Sequence, residues 1–457
     1  MKLDADLIRR YDCHGPRYTS YPTAVQFHAG FDEQSYRRVA LLSNAGSPPA
    51  LSMYVHVPFC AKPCFYCGCN KIITRNPVHA EQYLQRLHRE IELQSALFDR
   101  RRSVRQLHFG GGTPTYLTMG QLGALFEQLD RNFNIDGSEQ REFSIEIDPR
   151  TLEASTLTEL ARLGFNRLSL GVQDFDPRVQ RAVNRRQSVE QIEQCMVQAR
   201  ALEYRSVSFD LIYGLPLQTL ESFGQTLDTV VRMRPDRIAA YGYAHMPRLF
   251  KAQRAIRAEQ LPDADTRLQL LALTVERLTG AGYVYIGMDH FALPDDDLSR
   301  AMRDGSLHRN FQGYSTHGDC DLIGLGVSAI GAVGNSYSQN RKDLSGYYAA
   351  LDRGRLPIDR GIALSVDDVL RREVIQRLMC KGELCMREIE SRYALDFSNY
   401  FAGELAALNA LAGDGLITSE ANVIRVTERG RALLRTIAMA FDAYLPRAAG
   451  KQFSKVI

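Results

Sequence analysis

Between residues 51 and 291 the chain alternates short apolar runs with longer stretches of helical period. The runs are LSMYVHVP (51–58), QLHFGGG (106–112), EFSIEIDP (142–149), RLSLGVQ (167–173), SVSFDLIYG (206–214), DRIAAYGY (236–243) and YVYIGMDHF (283–291). They are rich in β-branched and aromatic residues, which predicts strands. Segments 79–98 and 188–202 between them carry apolar positions three and four apart, which predicts amphipathic helices. About six strand–helix repeats predict a parallel sheet with right-handed crossovers, closed into a barrel or left incomplete. Polar residues stand at the downstream end of run after run: Glu146 and Asp148, Gln173 and Asp174, Asp210, Tyr243 and His245, Asp289 and His290. A parallel barrel carries its functional face at the C-terminal ends of its strands. These residues are therefore expected to share a site, although any one of them could simply cap the next helix.

The flanks read differently. Residues 1–50 are irregular and contain GPRYTSYPTA (15–24). Such a stretch buries little alone, so it is either a loose tail or an arm lying over something. Residues 356–457 hold three helical candidates, VDDVLRREVIQRLMCKG, MREIESRYA and 399–413. A hairpin-like DGLITSEANVIRVTERG and a last helix follow, resembling a winged helix. Acids and bases are mixed there without a basic stripe, so packing or a lid is expected rather than DNA binding. The fold class is thus predicted as α/β. It is an incomplete parallel (β/α)6-type TIM-like barrel (51–355) with an N-terminal arm (1–50) and a mostly helical, winged-helix-like C-terminal domain (356–457).

Charge and composition narrow this little. With 56 basic and 53 acidic side chains among 457 residues, the formal net charge is +3, no signature of a nucleic-acid binder. The run RRRSVR (100–105) reads as a solvated loop. No apolar run reaches the roughly 20 residues of a membrane helix, and MKLDADLIRRYD has no apolar signal core. Clustered thiols suit a reducing compartment. A cytoplasmic monomer without membrane span or nucleic-acid partner is expected.

The chemistry lies in CAKPCFYCGC (60–69). Four of the nine cysteines, Cys60, Cys64, Cys67 and Cys69, fall within ten residues. The first three have the spacing C-x3-C-x2-C, one loop offering three thiolates to a single centre. Three ligands match a cube of four irons with one iron left open, whereas structural zinc normally closes with four. A structural zinc or non-catalytic cluster is the alternative. Pro63 and Gly68 allow tight turns, and Phe59, Phe65 and Tyr66 can shield a cluster. GGGTPT (110–115) exposes backbone amides but is not a nucleotide-phosphate fingerprint. His56 and His108, on apolar strands, read as packed and hydrogen-bonded. His290 and His308 are equally open to a catalytic or substrate role. Cys380 and Cys385 read as small buried side chains.

The cysteine spacing together with the glycine-rich strand end resembles the radical S-adenosylmethionine (SAM) superfamily. GPRYTSYPTA, HFGGGTPTYL, SIEIDPR, RLSLGVQDF, VNRRQ, FDLIYGLP, GYAHMP, GMDHFA, HRNFQGYST and the terminal QFSKVI are similar to the oxygen-independent coproporphyrinogen III oxidases, over essentially the whole chain. The resemblance implies that Cys60, Cys64 and Cys67 ligate a [4Fe–4S] cluster whose open iron is chelated by SAM. It implies that Gly111 accepts the SAM amino group, that Glu146 binds the same molecule, and that Tyr54 and Ile330 line it. Tyr66, Gly112, Thr113, Gln173, Arg185, Asp210 and Ala244 match positions that hold a second SAM. Cys69 would not ligate iron but would be needed for activity. The implied reaction converts the ring A and ring B propionates of coproporphyrinogen III to vinyl groups, with an unidentified electron donor to the cluster and an unidentified electron acceptor. The arm would close over the substrate opening. Arg10, Arg17 and Arg309 are further expected to meet the acidic substrate. Two rivals are a haem chaperone of the same branch and an iron–sulfur transcription factor. The former typically has Phe at the fourth cysteine and lacks the long arm, so Cys69 and GPRYTSYPTA favour the oxidase.

Overall fold

The computed structural model describes residues 4–11, 13–420 and 422–445; the QFSKVI motif lies outside the described residues. Six strands follow the predicted alternation: β1 (Leu51–Val57), β2 (Ser103–Gly111), β3 (Glu142–Ile147), β4 (Arg167–Gln173), β5 (Ser206–Tyr213) and β6 (Arg237–Gly242). Each pairs in parallel with the next. Helices Pro77–Ser95, Met119–Asn132, Thr156–Arg162, Val189–Ala201 and Leu220–Met233 make the crossovers. Their starts are written locally. Asn76 caps the first and Pro77 opens it, while Thr118 and Gln121 form a capping box on the second. Met53, Val55 and Val57 on β1 and Leu107 and Phe109 on β2 are completely or almost completely buried, as expected when helices cover a parallel sheet. The result is the incomplete TIM-like α/β barrel that the alternation predicts.

Two parts of the sheet depart from that prediction. The run 283–291 is not one further strand. Gly287 has φ +144° and Met288 φ +54°, so the chain reverses there into β7 (Val284–Gly287) and β8 (His290–Ala292). β8 runs antiparallel to β6, with His290 opposite Ala239. It is therefore the start of β8, not its end, that faces the C-terminal ends of the parallel strands. On the opposite edge, β9 (Asp321–Leu325) lies parallel to β1, with Leu51 opposite Asp321. It is followed by antiparallel β10 (Ile330–Val333), β11 (Ser336–Asn340) and β12 (Ile358–Ala363). The sheet order is β7-β8-β6-β5-β4-β3-β2-β1-β9-β10-β11-β12. The run DLIGLGVSAIGAV shows no clean period of two, so these strands are not legible in the sequence.

A second hydrophobic core joins distant parts of the chain. Leu370, Val374 and Leu378 of helix Val366–Lys381 pack with Ile437 and Phe441, and with Leu298 and Tyr314. Tyr18 and Tyr21 of the N-terminal segment enter the same core, so this segment is no loose tail. The Tyr18 hydroxyl donates to Asp442 at 2.9 Å, and Arg435 Nε donates to the Pro16 carbonyl at 3.0 Å. Strands Glu383–Cys385, Val423–Val426 and Ile417–Glu420 form a small antiparallel sheet beside helices Val366–Lys381, Met386–Tyr393 and Ala402–Gly413. Cys380 is buried and Cys385 half-buried, in keeping with a packing role. Among the described residues no helix is long and apolar enough to cross a membrane.

Candidate active site

β1 delivers the cysteine loop. At the loop's base, Phe59–Cys60 pairs with Ile72–Ile73; the Ile72 amide donates to Pro58 O at 2.7 Å and the Thr74 amide to Cys60 O at 3.1 Å. Its middle is tied to the segment after β4: the Phe65 amide donates to Val183 O at 3.0 Å, and Asn184 Nδ2 to Pro63 O at 2.8 Å. Fixed at three places, the loop holds all four thiols on the wall of one cavity of about 290 Å3.

The glycine-rich end of β2 forms the facing wall. The Gly112 amide donates to Val57 O at 2.8 Å and the Thr113 amide to Phe59 O at 2.9 Å, sewing this end to β1. A Cβ on Gly112 would stand 2.7 Å from the Phe59 carbonyl oxygen, so only glycine permits the approach. Gly111 (φ +116°) donates its amide to Glu146 Oε2 at 3.1 Å. Thr113 Oγ1 lies 3.5 Å from Cys60 Sγ.

Cys60, Cys64, Cys67, Cys69, Tyr66, Gly111, Gly112, Thr113, Glu146, Gln173, Arg185 and Asp210 all line this cavity. Tyr54 and Ile330 instead line an adjacent cavity of about 420 Å3, walled also by Leu322 and Phe311. The two cavities share Cys69, Gly111, Glu146 and Tyr241. Cys60, Cys64 and Cys67 border only the first, which separates Cys69 from its three neighbours. Ala244 lines neither; it is exposed, and its carbonyl accepts from Gln253 Nε2 (3.2 Å), which also donates to Tyr66 O (2.9 Å).

Charges around the thiols are arranged in pairs. Arg150 Nη2 donates to Cys64 Sγ at 3.3 Å and Arg185 Nη1 at 3.5 Å, while Asp148 binds Arg150 at 2.6 Å and Arg185 at 3.3 Å. Arg150 was not legible as a site residue in the sequence, where its only signal is its place one residue beyond Pro149 after β3. The Cys69 thiol bonded to Cys67 lowers the Cys67 pKa to about 6, against burial and with help from Lys71. The same bond raises Cys69, so the pair keeps its proton there. Burial opposes the charge of Glu146, but His108 and the Gly111 amide outweigh it and hold the carboxyl below its ordinary pKa. Burial and the Glu146 charge push Asp210 up to about 7, with Ser169 Oγ donating to it at 3.0 Å.

The histidines sort cleanly. His56 contacts the Tyr54 hydroxyl (3.0 Å) and Asn70 O (2.9 Å); His108 contacts Ser144 Oγ (2.5 Å) and Glu146 Oε1 (3.3 Å). Both are hydrogen-bonded as expected, yet both also line the second cavity. Burial, with Arg309, lowers His290 to about 3; burial, with Arg372, lowers His308 to about 4, so both are neutral imidazoles near pH 7. Neither lines the two cavities. None of the three arginines expected at the substrate lines either cavity; Arg10 pairs with Asp414 (2.7 Å). Arg17 binds Asp289 at 2.5 Å, and Arg309 Nε donates to Arg17 O at 3.3 Å, so these two meet where the N-terminal segment crosses β8.

Three thiols on the wall of one cavity, a fourth shared with the neighbouring cavity, and a glycine wall too close for any side chain suit a three-cysteine iron–sulfur cluster with a ligand beside it. Comparison with known proteins gives the family. Residues 54–230 match the Radical SAM superfamily and residues 364–433 the HemN C-terminal domain. The oxygen-independent coproporphyrinogen III oxidase of Pseudomonas aeruginosa is 52% identical over 100% of this chain and 99% of its own. That of Escherichia coli K12 is 49% identical over 99% of this chain and 98% of its own. The solved structure described as "Coproporphyrinogen III oxidase (HemN) from Escherichia coli is a Radical SAM enzyme" superposes with TM-score 0.92 at 48% identity, covering 97% of this chain and 100% of that one. The chain is a radical SAM oxidoreductase and belongs to the oxygen-independent coproporphyrinogen III oxidase family.

Proposed function

We propose that this enzyme oxidatively decarboxylates the ring A and ring B propionates of coproporphyrinogen III to vinyl groups, giving protoporphyrinogen IX. Each propionate gives up one hydrogen atom from its β-carbon, then CO2 and one electron. The reading is carried by one observation: the thiol-lined cavity and the larger, partly apolar cavity meet at Cys69, Glu146 and Tyr241.

In this reading Cys60, Cys64 and Cys67 hold a [4Fe–4S] cluster. Gly111, Glu146, Tyr54 and Ile330 bind one SAM; Tyr66, Gly112, Thr113, Gln173, Arg185, Asp210 and, from outside the cavity wall, Ala244 hold a second. When bound, cluster and SAM supply one-electron reduction and hydrogen-atom abstraction. The protein's own residues do the rest. The ionised Glu146 receives an ammonium group beside the Gly111 amide. Gly112 lets a ligand lie against bare backbone. Arg150 and Arg185 offset thiolate charge at Cys64. Phe311, Leu322 and Ile330 give the second cavity an apolar wall that keeps water from a reactive centre. Arg17 and Arg309 offer cations to the substrate's carboxylates, and Cys69 keeps a proton within reach of both cavities. Residues 1–50 act as an arm over the opening, 51–355 as the barrel and 356–457 as a packing domain, in a monomer that draws electrons from a separate donor and passes them to a separate acceptor.

The test is anaerobic. Protein reconstituted with iron and sulfide receives SAM, a reductant and coproporphyrinogen III. Methionine, 5′-deoxyadenosine and a divinyl product are expected. Haem binding without decarboxylation would instead establish a haem chaperone, a reading that Cys69 and the buried N-terminal segment disfavour.

A further inference from the structure

Far from the cysteine loop, one short segment gathers nitrogen, oxygen and sulfur donors. Residues 316–320 (THGDC) join the hairpin His308–Asn310/Gly313–Ser315 to β9. Donor atoms of His317, Asp319 and Cys320 all lie within 4.8 Å of one another. Both ends of the segment are fixed. The His317 amide donates to Ser315 Oγ at 3.1 Å, while Asp321 binds the buried Arg102 at 2.5 Å and accepts the Gly334 amide at 2.7 Å. The turn is tight, since a Cβ on Gly318 would stand 2.8 Å from His308 Cγ.

We infer that His317, Asp319 and Cys320 form a second metal site, for zinc or a similar borderline divalent cation, that clips the hairpin to β9. A mixed N, O and S donor set selects zinc-type ions over magnesium or calcium, which prefer oxygen alone. One carboxylate and one thiolate balance the 2+ charge, the thiol proton of Cys320 leaving to solvent. A ligating histidine commonly sets its other ring nitrogen against a carboxylate. Here His317 Nε2 lies 3.8 Å from Glu142 Oε1, and Glu142 is itself held by Arg167 (3.1 Å) and Thr316 (2.8 Å). Asp319 accepts from the Cys320 thiol at 3.8 Å, a bond the metal would replace, and its other partner is Arg105 at 3.9 Å, an exposed pair of little worth. Solvent completes the shell. Asp321 is opposite Leu51 at the start of β1, whereas the cysteine loop follows the end of β1. At about 3.3 Å per residue the two sites are roughly 20 Å apart.

The test uses holoenzyme, its cysteine loop filled by the reconstituted cluster. It is stripped with a mild chelator, given Zn2+ and desalted. Zinc per chain is then measured by elemental analysis and its coordination by X-ray absorption. About one zinc per chain is expected, with one sulfur and otherwise light-atom ligands, together with a raised Tm. His317→Ala and Cys320→Ser should each weaken binding by more than about tenfold at unchanged iron content. Should either fail to fold, the exposed Asp319→Asn serves instead. Zinc absent from the wild type, zinc bound by sulfur alone, or binding indifferent to these variants would overturn the inference.

Discussion

The Cys69 amide donates to Cys67 Sγ at 3.4 Å, so two cysteines in one loop are joined although only one of them reaches a second cavity. Cys67 borders the thiol-lined cavity alone; Cys69 borders that cavity and its neighbour. A second bond, from the Cys69 thiol to Cys67, favours thiolate at Cys67 and thiol at Cys69, and the amide adds to the first effect, which is the division of labour a ligand and a non-ligand need.

Cys67→Ala should therefore lose cluster iron, whereas Cys69→Ala should retain it and lose product formation. Iron and sulfide analysis beside the anaerobic assay separates the two. Equal iron loss in both would place Cys69 among the ligands.

Gly112→Ala drives a methyl into the Phe59 and Pro58 carbonyls, at 2.7 and 2.8 Å. Because the obstacle is backbone, relief requires moving β1 or the loop, at a cost of about 1–3 kcal/mol. Gly123→Ala, in helix Met119–Asn132 with nothing within 4 Å of its Cβ position, should instead gain up to about 1 kcal/mol. Thermal denaturation of the pair checks the contrast.

Asp210 has a folded pKa of about 7, above its ordinary value of 3.8. Between those values the folded state binds more protons than the unfolded one. Stability linked to this group is therefore full below about pH 4 and lost as pH rises toward 7. Asp210→Asn removes the buried charge. It should raise Tm at pH 8, by the equivalent of a few kcal/mol at most, and change it little at pH 4. An equal shift at both values would show that Asp210 does not titrate in this range.

Arg17→Ala should raise the apparent KM for coproporphyrinogen III by about tenfold, the worth of one charge-assisted hydrogen bond, with iron content unchanged. Arg10→Ala, whose partner Asp414 lies at the surface, should leave KM alone. A KM unmoved by Arg17→Ala sinks the substrate role of the N-terminal segment.

Local information was legible in the chain itself. The strand–helix alternation, the C-x3-C-x2-C spacing and the glycine strand end are properties of a few consecutive residues. They determined the barrel and the cysteine cradle before any contact was known. Where two strands are too short to show a period, as at β7 and β8, the pattern failed, because Gly287 and Met288 reverse the chain inside one apolar run.

What only the tertiary structure decided is which distant residues meet. Arg150 and Arg185 stand 86 and 121 residues from Cys64, yet both reach its sulfur. No sequence period encodes such a meeting; it follows from strand register and from loops tied together at Val183 and Pro58. The same packing left Ala244 outside the cavity and set Cys69 on the wall shared by two spaces. A sequence specifies donors and their spacing, but the direction in which each donor faces is fixed only when the sheet curves and its ends converge.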